Sequence, residues 1–248
     1  MISKSKLVKK SLYKSFDKIG RPSCKSFLNE LNDDLDFLED INALIRTNDI
    51  FIKRKFNDIY EFSIYRNFIY GLIRDSRPSV VVETGVLHGL TSAWILKALE
   101  DNKKGRLISI DLPRRDWDKY FKGIQFGKEG DAELEIKNEI PGWVIPKNLK
   151  DRWELNLGPS QDHLPKVCAE QKYIDLFIHD SDHSYQTMQT ECELVNKYHP
   201  ESNIIIDDYY LNEYAFDFQK QIGKDMLEIK EINDSLKEVK GFAFFLNK

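Results

Sequence analysis

Two rhythms of hydrophobic and polar positions divide the chain. In the first part, apolar residues recur at helical spacing. Phe27, Leu28, Leu31, Leu35, Phe37, Leu38, Ile41 and Leu44 stand among acidic side chains and predict an amphipathic helix over 27–44. Phe56 to Ile73 repeats the pattern with many aromatics (Phe56, Tyr60, Phe62, Tyr65, Phe68, Tyr70) and ends near Arg77-Pro78, where Pro restricts the residue before it. After Ser79 the rhythm changes to short apolar runs separated by amphipathic stretches. The runs are Val80–Glu83, Arg106–Asp111, Trp153–Leu157, Tyr173–His179, Asn203–Ile206, Leu227–Ile232 and Phe242–Leu246. The first run, β-branched and free of charge until Glu83, reads as a strand buried on both faces of a parallel sheet, and the others read as further strands with helices between them. The N-terminal helices of residues 1–75 are expected to pack on that core and to roof its crevice, and residues 76–248 to form the main domain.

The first run leads into a turn rich in glycine, Val82-Glu83-Thr84-Gly85-Val86-Leu87-His88-Gly89, and helical spacing resumes from Ala93 to Leu99. Strand, glycine turn and helix make the opening unit of a Rossmann-like nucleotide-binding α/β domain. Glycine suits such a turn because the backbone there needs positive φ and close approach to a ligand. Thr91 or Ser92 is expected to cap the helix. The spacing is Gly-x-x-x-Gly, not the Gly-x-Gly-x-x-Gly of dinucleotide sites, which counts against an NAD-dependent oxidoreductase. Asp111 closes the second strand, where an acid commonly accepts hydrogen bonds from ribose hydroxyls.

The fourth and fifth strands each deliver acids to their carboxyl ends: Asp180-Ser181-Asp182-His183 and Asp207-Asp208. If the two strands are neighbours, Asp180, Asp207 and Asp208 converge, and clustered carboxylates repel unless a cation or shared protons neutralise them. Oxygen-only ligands with vacant positions suit Mg²⁺ or Ca²⁺, with Mn²⁺ as a further option. His183, three positions beyond Asp180, can take a proton from a substrate hydroxyl. His179 is expected to point into the fold, and His88, in the glycine turn, to line the cofactor.

Composition narrows the class. The 248 residues are 41% hydrophobic and 12% aromatic, enough for a full core. A net charge of −4 gives no general drive toward nucleic acid or anionic membrane. No stretch approaches transmembrane length, and Cys24, Cys168 and Cys192 show neither metal spacing nor an obvious pairing. A cytoplasmic enzyme is the default reading. Lys4, Lys6, Lys9, Lys10, Lys14, Lys18 and Arg21 face only Asp17 over the first 21 residues, which predicts a solvated, partly helical basic arm.

Glu83-Thr84 with the glycine turn, the run Ile174-Asp175-Leu176-Phe177-Ile178-His179-Asp180-Ser181-Asp182-His183-Ser184-Tyr185, and Ile204-Ile205-Ile206-Asp207-Asp208 together resemble class I S-adenosylmethionine-dependent methyltransferases. The similarity is to the small-molecule O-methyltransferase branch that includes macrocin-type and cephalosporin-hydroxylase-like proteins. It covers roughly Val80 to the C terminus. Pro200-Glu201-Ser202 departs from the Pro-Gly-Gly usual in the family at that turn. The resemblance implies a seven-stranded sheet whose last strand runs antiparallel between strands five and six. It implies S-adenosylmethionine held by Glu83, Gly85, Gly89, Ser92, Asp111, Ser160, Gln161 and Asp180. It further implies Mg²⁺ on Asp180, Asp207 and Asp208, with His183 and Asp180 as the catalytic pair. The substrate would be a small hydroxylated acceptor such as a sugar, without nucleic-acid or membrane partners, and the chain is a candidate homo-oligomer. The long connection over 112–150 would form a lid-like insertion. A non-catalytic module of the same fold, binding the cofactor or a partner, is the alternative.

Overall fold

The structure is a computed structural model and describes residues 3–47, 55–113, 116 and 140–246. Most of the expected lid, residues 114–115 and 117–139, lies outside the described residues.

The N-terminal part folds into helices α1 (Lys4–Lys18), α2 (Cys24–Asp33), α3 (Leu35–Arg46) and α4 (Ile64–Ser76). The single helix predicted over 27–44 is two helices. Asp34 leaves the helical region at ψ 85°, and its carboxylate caps α3 by accepting from the Phe37 amide at 3.0 Å. The aromatic stretch from Phe56 makes a single 3-10 turn at Ile59–Glu61 and is α-helical only from Ile64, where the Ser63 hydroxyl caps α4 by accepting from the Arg66 amide. The basic arm is more than a solvated tail. Val8, Leu12 and Phe16 on one face of α1 are fully buried, with lysines on the other side.

Seven strands follow: β1 (Val80–Thr84), β2 (Arg106–Asp111), β3 (Trp153–Leu157), β4 (Leu176–His179), β5 (Asn203–Ile206), β6 (Met226–Ile232) and β7 (Glu238–Phe245). Helices α5 (Leu90–Asp101), α6 (Ser160–Glu170), α7 (Tyr185–Tyr198) and α8 (Tyr214–Ile222) connect them. The sheet order is β3-β2-β1-β4-β5-β7-β6. β1 to β5 are parallel, and β7 runs antiparallel between β5 and β6, as the resemblance implied. β4 is shorter than its apolar run because the Asp175 carboxylate is taken by the Ser79 and Val80 amides and Tyr173 is 62% exposed.

Alternation along the strands builds two cores. Val81, Leu107, Ile178, Ile205, Phe242 and Phe244 pack under α1 to α5, while Val82, Ile108, Phe177, Ile204, Ala243 and Phe245 pack against α6, α7 and α8. The N-terminal helices therefore share a core with the sheet. Phe16 stacks on Phe68 at 5.2 Å, and Phe68 lies 5.3 Å from Phe242 and 5.5 Å from Phe244. Glu231 of β6 accepts from the amides of Ile64 at 2.9 Å and Tyr65 at 2.6 Å, which pins the start of α4. In this strand order the carboxyl ends of β1, β4 and β5 lie side by side, beside the point where chain connections diverge to either side of β1 and open a crevice.

Candidate active site

The glycine turn after β1 forms one wall of this crevice. Gly85 has φ +83°, and a Cβ on it would lie 1.9 Å from the Asp180 carbonyl oxygen. The turn and the acidic loop after β4 are therefore in backbone contact, and no other residue fits there. The Asp180 amide donates to the Thr84 carbonyl at 2.9 Å, continuing the β1–β4 ladder into the site. Asp111 holds the same turn from β2, one carboxylate oxygen accepting from the amides of Val86 at 2.7 Å and Leu87 at 3.0 Å.

Gly89, φ +89°, is itself the cap residue of α5, so neither Thr91 nor Ser92 caps that helix. Ser92 instead turns its hydroxyl to Glu83. A Cβ on Gly89 would lie 2.5 Å from the Cα of Gly142. The segment that returns from the insertion is docked here. The Gly142 amide donates to the Leu87 carbonyl at 2.9 Å, the Val144 amide to the His88 carbonyl at 3.1 Å, and Trp143 Nε1 to His88 Nδ1 at 3.1 Å. Gly89 thus serves close packing of this segment, and His88 is one of its anchors.

Glu83 is completely buried. One carboxylate oxygen accepts from Ser92 at 2.7 Å and Ser109 at 2.9 Å, and the other has no hydrogen-bond partner among the described residues. Burial pushes its carboxyl up to about 7 against the pull of those two hydroxyls, and the charge of Asp111 adds to the rise.

The opposite wall carries the acids. Asp180 and Asp207 share a hydrogen bond, and burial raises both above the ordinary carboxylate range, with Glu83 acting further on Asp180 and Asp180 on Asp207. His183 Nε2 stands 3.9 Å from Asp180 Oδ1. One ligand atom from each of Asp180, His183 and Asp207 can be chosen so that all lie within 4.8 Å of one another. Asp208 stands beside this group and not in it. Its φ of +45° sets it at the start of the turn Tyr209–Leu211, and the Tyr210 hydroxyl bonds to its carboxylate. Burial, then the neighbouring His179, lowers the His183 pKa.

Beneath the loop, His179 is fully buried, as expected. Its Nδ1 bonds Glu191 Oε2 at 2.7 Å, and Thr84 and Ser181 donate to the same carboxylate at 2.6 and 3.0 Å. Burial would raise Glu191, but the charge and hydrogen bond of His179 outweigh it and leave the carboxyl lowered. The Ser160 hydroxyl also reaches Glu191, whereas Gln161 lies exposed on α6. Sequence reasoning missed Glu191, whose signal was an acid on the buried stripe of α7 with Met188, Cys192 and Val195. It missed Tyr65 too. That ring is 5% exposed, its hydroxyl has no partner among the described residues, and its pKa is raised by burial and then by Asp180, Asp207 and Glu83.

The sequence of residues 82–209, just over half of the chain, matches the profile of a family described as "Methyltransferase domain". No curated protein matches the sequence. Among solved structures, the chain is similar to the O-methyltransferase from Bacillus cereus in complex with S-adenosylhomocysteine, at 17% identity and TM-score 0.53, covering 86% of this chain and 91% of that one. It is also similar to the O-methyltransferase TomG from Streptomyces achromogenes, involved in tomaymycin synthesis and bound to S-adenosylmethionine, at 15% identity and TM-score 0.55, covering 90% and 94%. Likeness at that identity speaks for the fold. The matched stretch runs from the strand before the glycine turn through Asp180, His183, Asp207 and Asp208, and on it this chain belongs to the methyltransferase-domain family.

Proposed function

We propose that the protein is an S-adenosylmethionine-dependent O-methyltransferase acting on a small hydroxylated acceptor, with a sugar as the inferred class. The observation that carries this reading is the backbone contact of Gly85 with Asp180, which makes the cofactor turn and the Asp180–His183–Asp207 group two walls of one crevice. S-adenosylmethionine supplies an electrophilic methyl group on a cationic sulfur. Glu83, buried with one oxygen unpartnered among the described residues, and Asp180 are carboxyls whose ionisation a nearby cation would favour. Asp111 braces the turn through Val86 and Leu87 and stands at the strand end where ribose hydroxyls are commonly met. Ser92, Ser160 and Gln161 keep supporting places, the first two through Glu83 and Glu191.

His183 takes the acceptor's hydroxyl proton, and its lowered pKa favours the neutral imidazole that can do so. The acceptor oxygen then forms its bond to the methyl carbon as the carbon–sulfur bond breaks, and His183 returns the proton to water. Orientation of acceptor and methyl by the two walls supplies much of the rate. A divalent cation, for which Asp180 and Asp207 offer oxygens, would lower the hydroxyl pKa and orient it.

The test is transfer of labelled methyl from S-adenosylmethionine to a set of monosaccharides and phenols, with and without divalent metal. Wild type should label at least one acceptor, and His183→Ala should lose turnover by about 10²–10⁴-fold while keeping cofactor affinity. Full turnover in His183→Ala would remove the histidine from the mechanism.

A further inference from the structure

We propose that Glu191 of α7 is a positioning residue of this crevice, its carboxylate holding the glycine turn and the loop of His183 in place from beneath. The inference rests on the methyl-transfer reading and adds to it a residue that touches neither reactant.

The stripe of α7 that carries Glu191 is otherwise apolar. Met188, Cys192 and Val195 are fully buried on it, and Glu191 itself is 1% exposed. An acid in such a place loses its hydration unless fixed donors replace the water. An apolar side chain of similar size would serve the packing as well or better. What the acid supplies is a shared acceptor. Thr84 Oγ1 donates to Oε2 at 2.6 Å, His179 Nδ1 meets the same oxygen at 2.7 Å, and Ser181 Oγ donates to Oε1 at 3.0 Å. The Ser160 hydroxyl joins them from the start of α6. Burial pushes the carboxyl up, yet His179, Ser160 and Thr84 hold it below its ordinary value.

The donors sit where the chemistry needs order. Thr84 immediately precedes Gly85 and Ser181 immediately follows Asp180, so each wall is tied one residue from the point where the two meet. A carboxylate only accepts hydrogen bonds, so His179 carries a proton on Nδ1, and this fixes the orientation of its ring. That ring stands edge-on to His183, with 5.7 Å between centroids. One buried acceptor thus reaches the turn and the acidic loop directly, and His183 through His179.

Two substitutions in the full chain separate positioning from packing. Glu191→Gln keeps the shape and removes the charge, whereas Val195→Ala thins the same buried stripe about one turn away. Each is compared with wild type by urea unfolding, by calorimetric titration of S-adenosylmethionine, and by labelled methyl transfer at saturating cofactor. Glu191→Gln should weaken cofactor binding and lower kcat, each by about 10–100-fold, because a misplacement of about 1 Å can cost 10²-fold. Val195→Ala should lose stability and keep both affinity and kcat. Nitrogen-15 spectra of the wild-type histidines should show Nδ1 of His179 protonated. Affinity or kcat unchanged in Glu191→Gln, losses shared equally by Val195→Ala, or an unprotonated Nδ1 on His179 would overturn the proposal. Wild-type binding and transfer that persist in Glu191→Gln sink this role alone. Absence of cofactor binding or of methyl transfer in wild type sinks the methyl-transfer reading, and this role with it.

Discussion

At Gly85 the chain has no room for a side chain, and the site depends on that. A methyl group there would meet the Asp180 carbonyl at 1.9 Å, so Gly85→Ala must push the two walls apart. The backbone conformation alone should cost about 1–3 kcal/mol in urea unfolding, and cofactor affinity should fall with it. Unchanged stability and affinity would show that the turn tolerates displacement. Glu83 makes a second prediction at this scale. Its carboxyl rises from 4.5 to about 7, so between those values the native state holds a proton that the unfolded chain has released. Stability from this group is full at the acid end and is lost as pH climbs through about 7, by roughly 3 kcal/mol. The difference in unfolding free energy between wild type and Glu83→Gln should shrink by that order from pH 5 to pH 8; a pH-independent difference would contradict it. Individual residues were only partly legible beforehand. Asp180, Asp207 and His183 announced themselves because each follows a strand end, and strand ends define the crevice. Asp208 looked equal to Asp207 in sequence, and only its left-handed backbone separates their surroundings. Ser92 looked like a cap, yet a buried carboxylate nearby outbids the helix end for its hydroxyl.

Among the elements, α4 connects the N-terminal helices to the site. Its first amides are taken by Glu231, a side chain from the far edge of the sheet, and this acts as a helix cap supplied in trans. Glu231→Ala should cost about 0.5–2 kcal/mol and raise hydrogen exchange in the first turn of α4, near Tyr65. Exchange unchanged there would show that Ser63 alone suffices as a cap. Phe68, packed between Phe16, Phe242 and Phe244, should cost about 3–5 kcal/mol on truncation to Ala, read by urea unfolding. Apolar runs marked every strand, most cleanly β1, β4 and β5, which are almost wholly buried, whereas β7 begins at Glu238, ahead of its apolar run, because its first residues are exposed. It misjudged the helix boundaries at Asp34 and Ser63, where one capping side chain overrides a continuing apolar stripe.

For the whole molecule, the doubly covered sheet follows from alternation in the strands, and the antiparallel β7 came from resemblance rather than from periodicity. The helices over one face were legible as amphipathic; that their aromatics reach Phe242 and Phe244 was not, since such contacts join residues far apart in the chain. Among the described residues no helix is long and apolar enough to cross a membrane. The central claim is that the glycine turn, Glu83 and Asp180 receive a cationic methyl donor. Calorimetric titration of wild type with S-adenosylmethionine, and separately with NADH, tests it most directly. The account predicts one-to-one binding of S-adenosylmethionine and none of NADH; binding of NADH alone, or of neither, would contradict it.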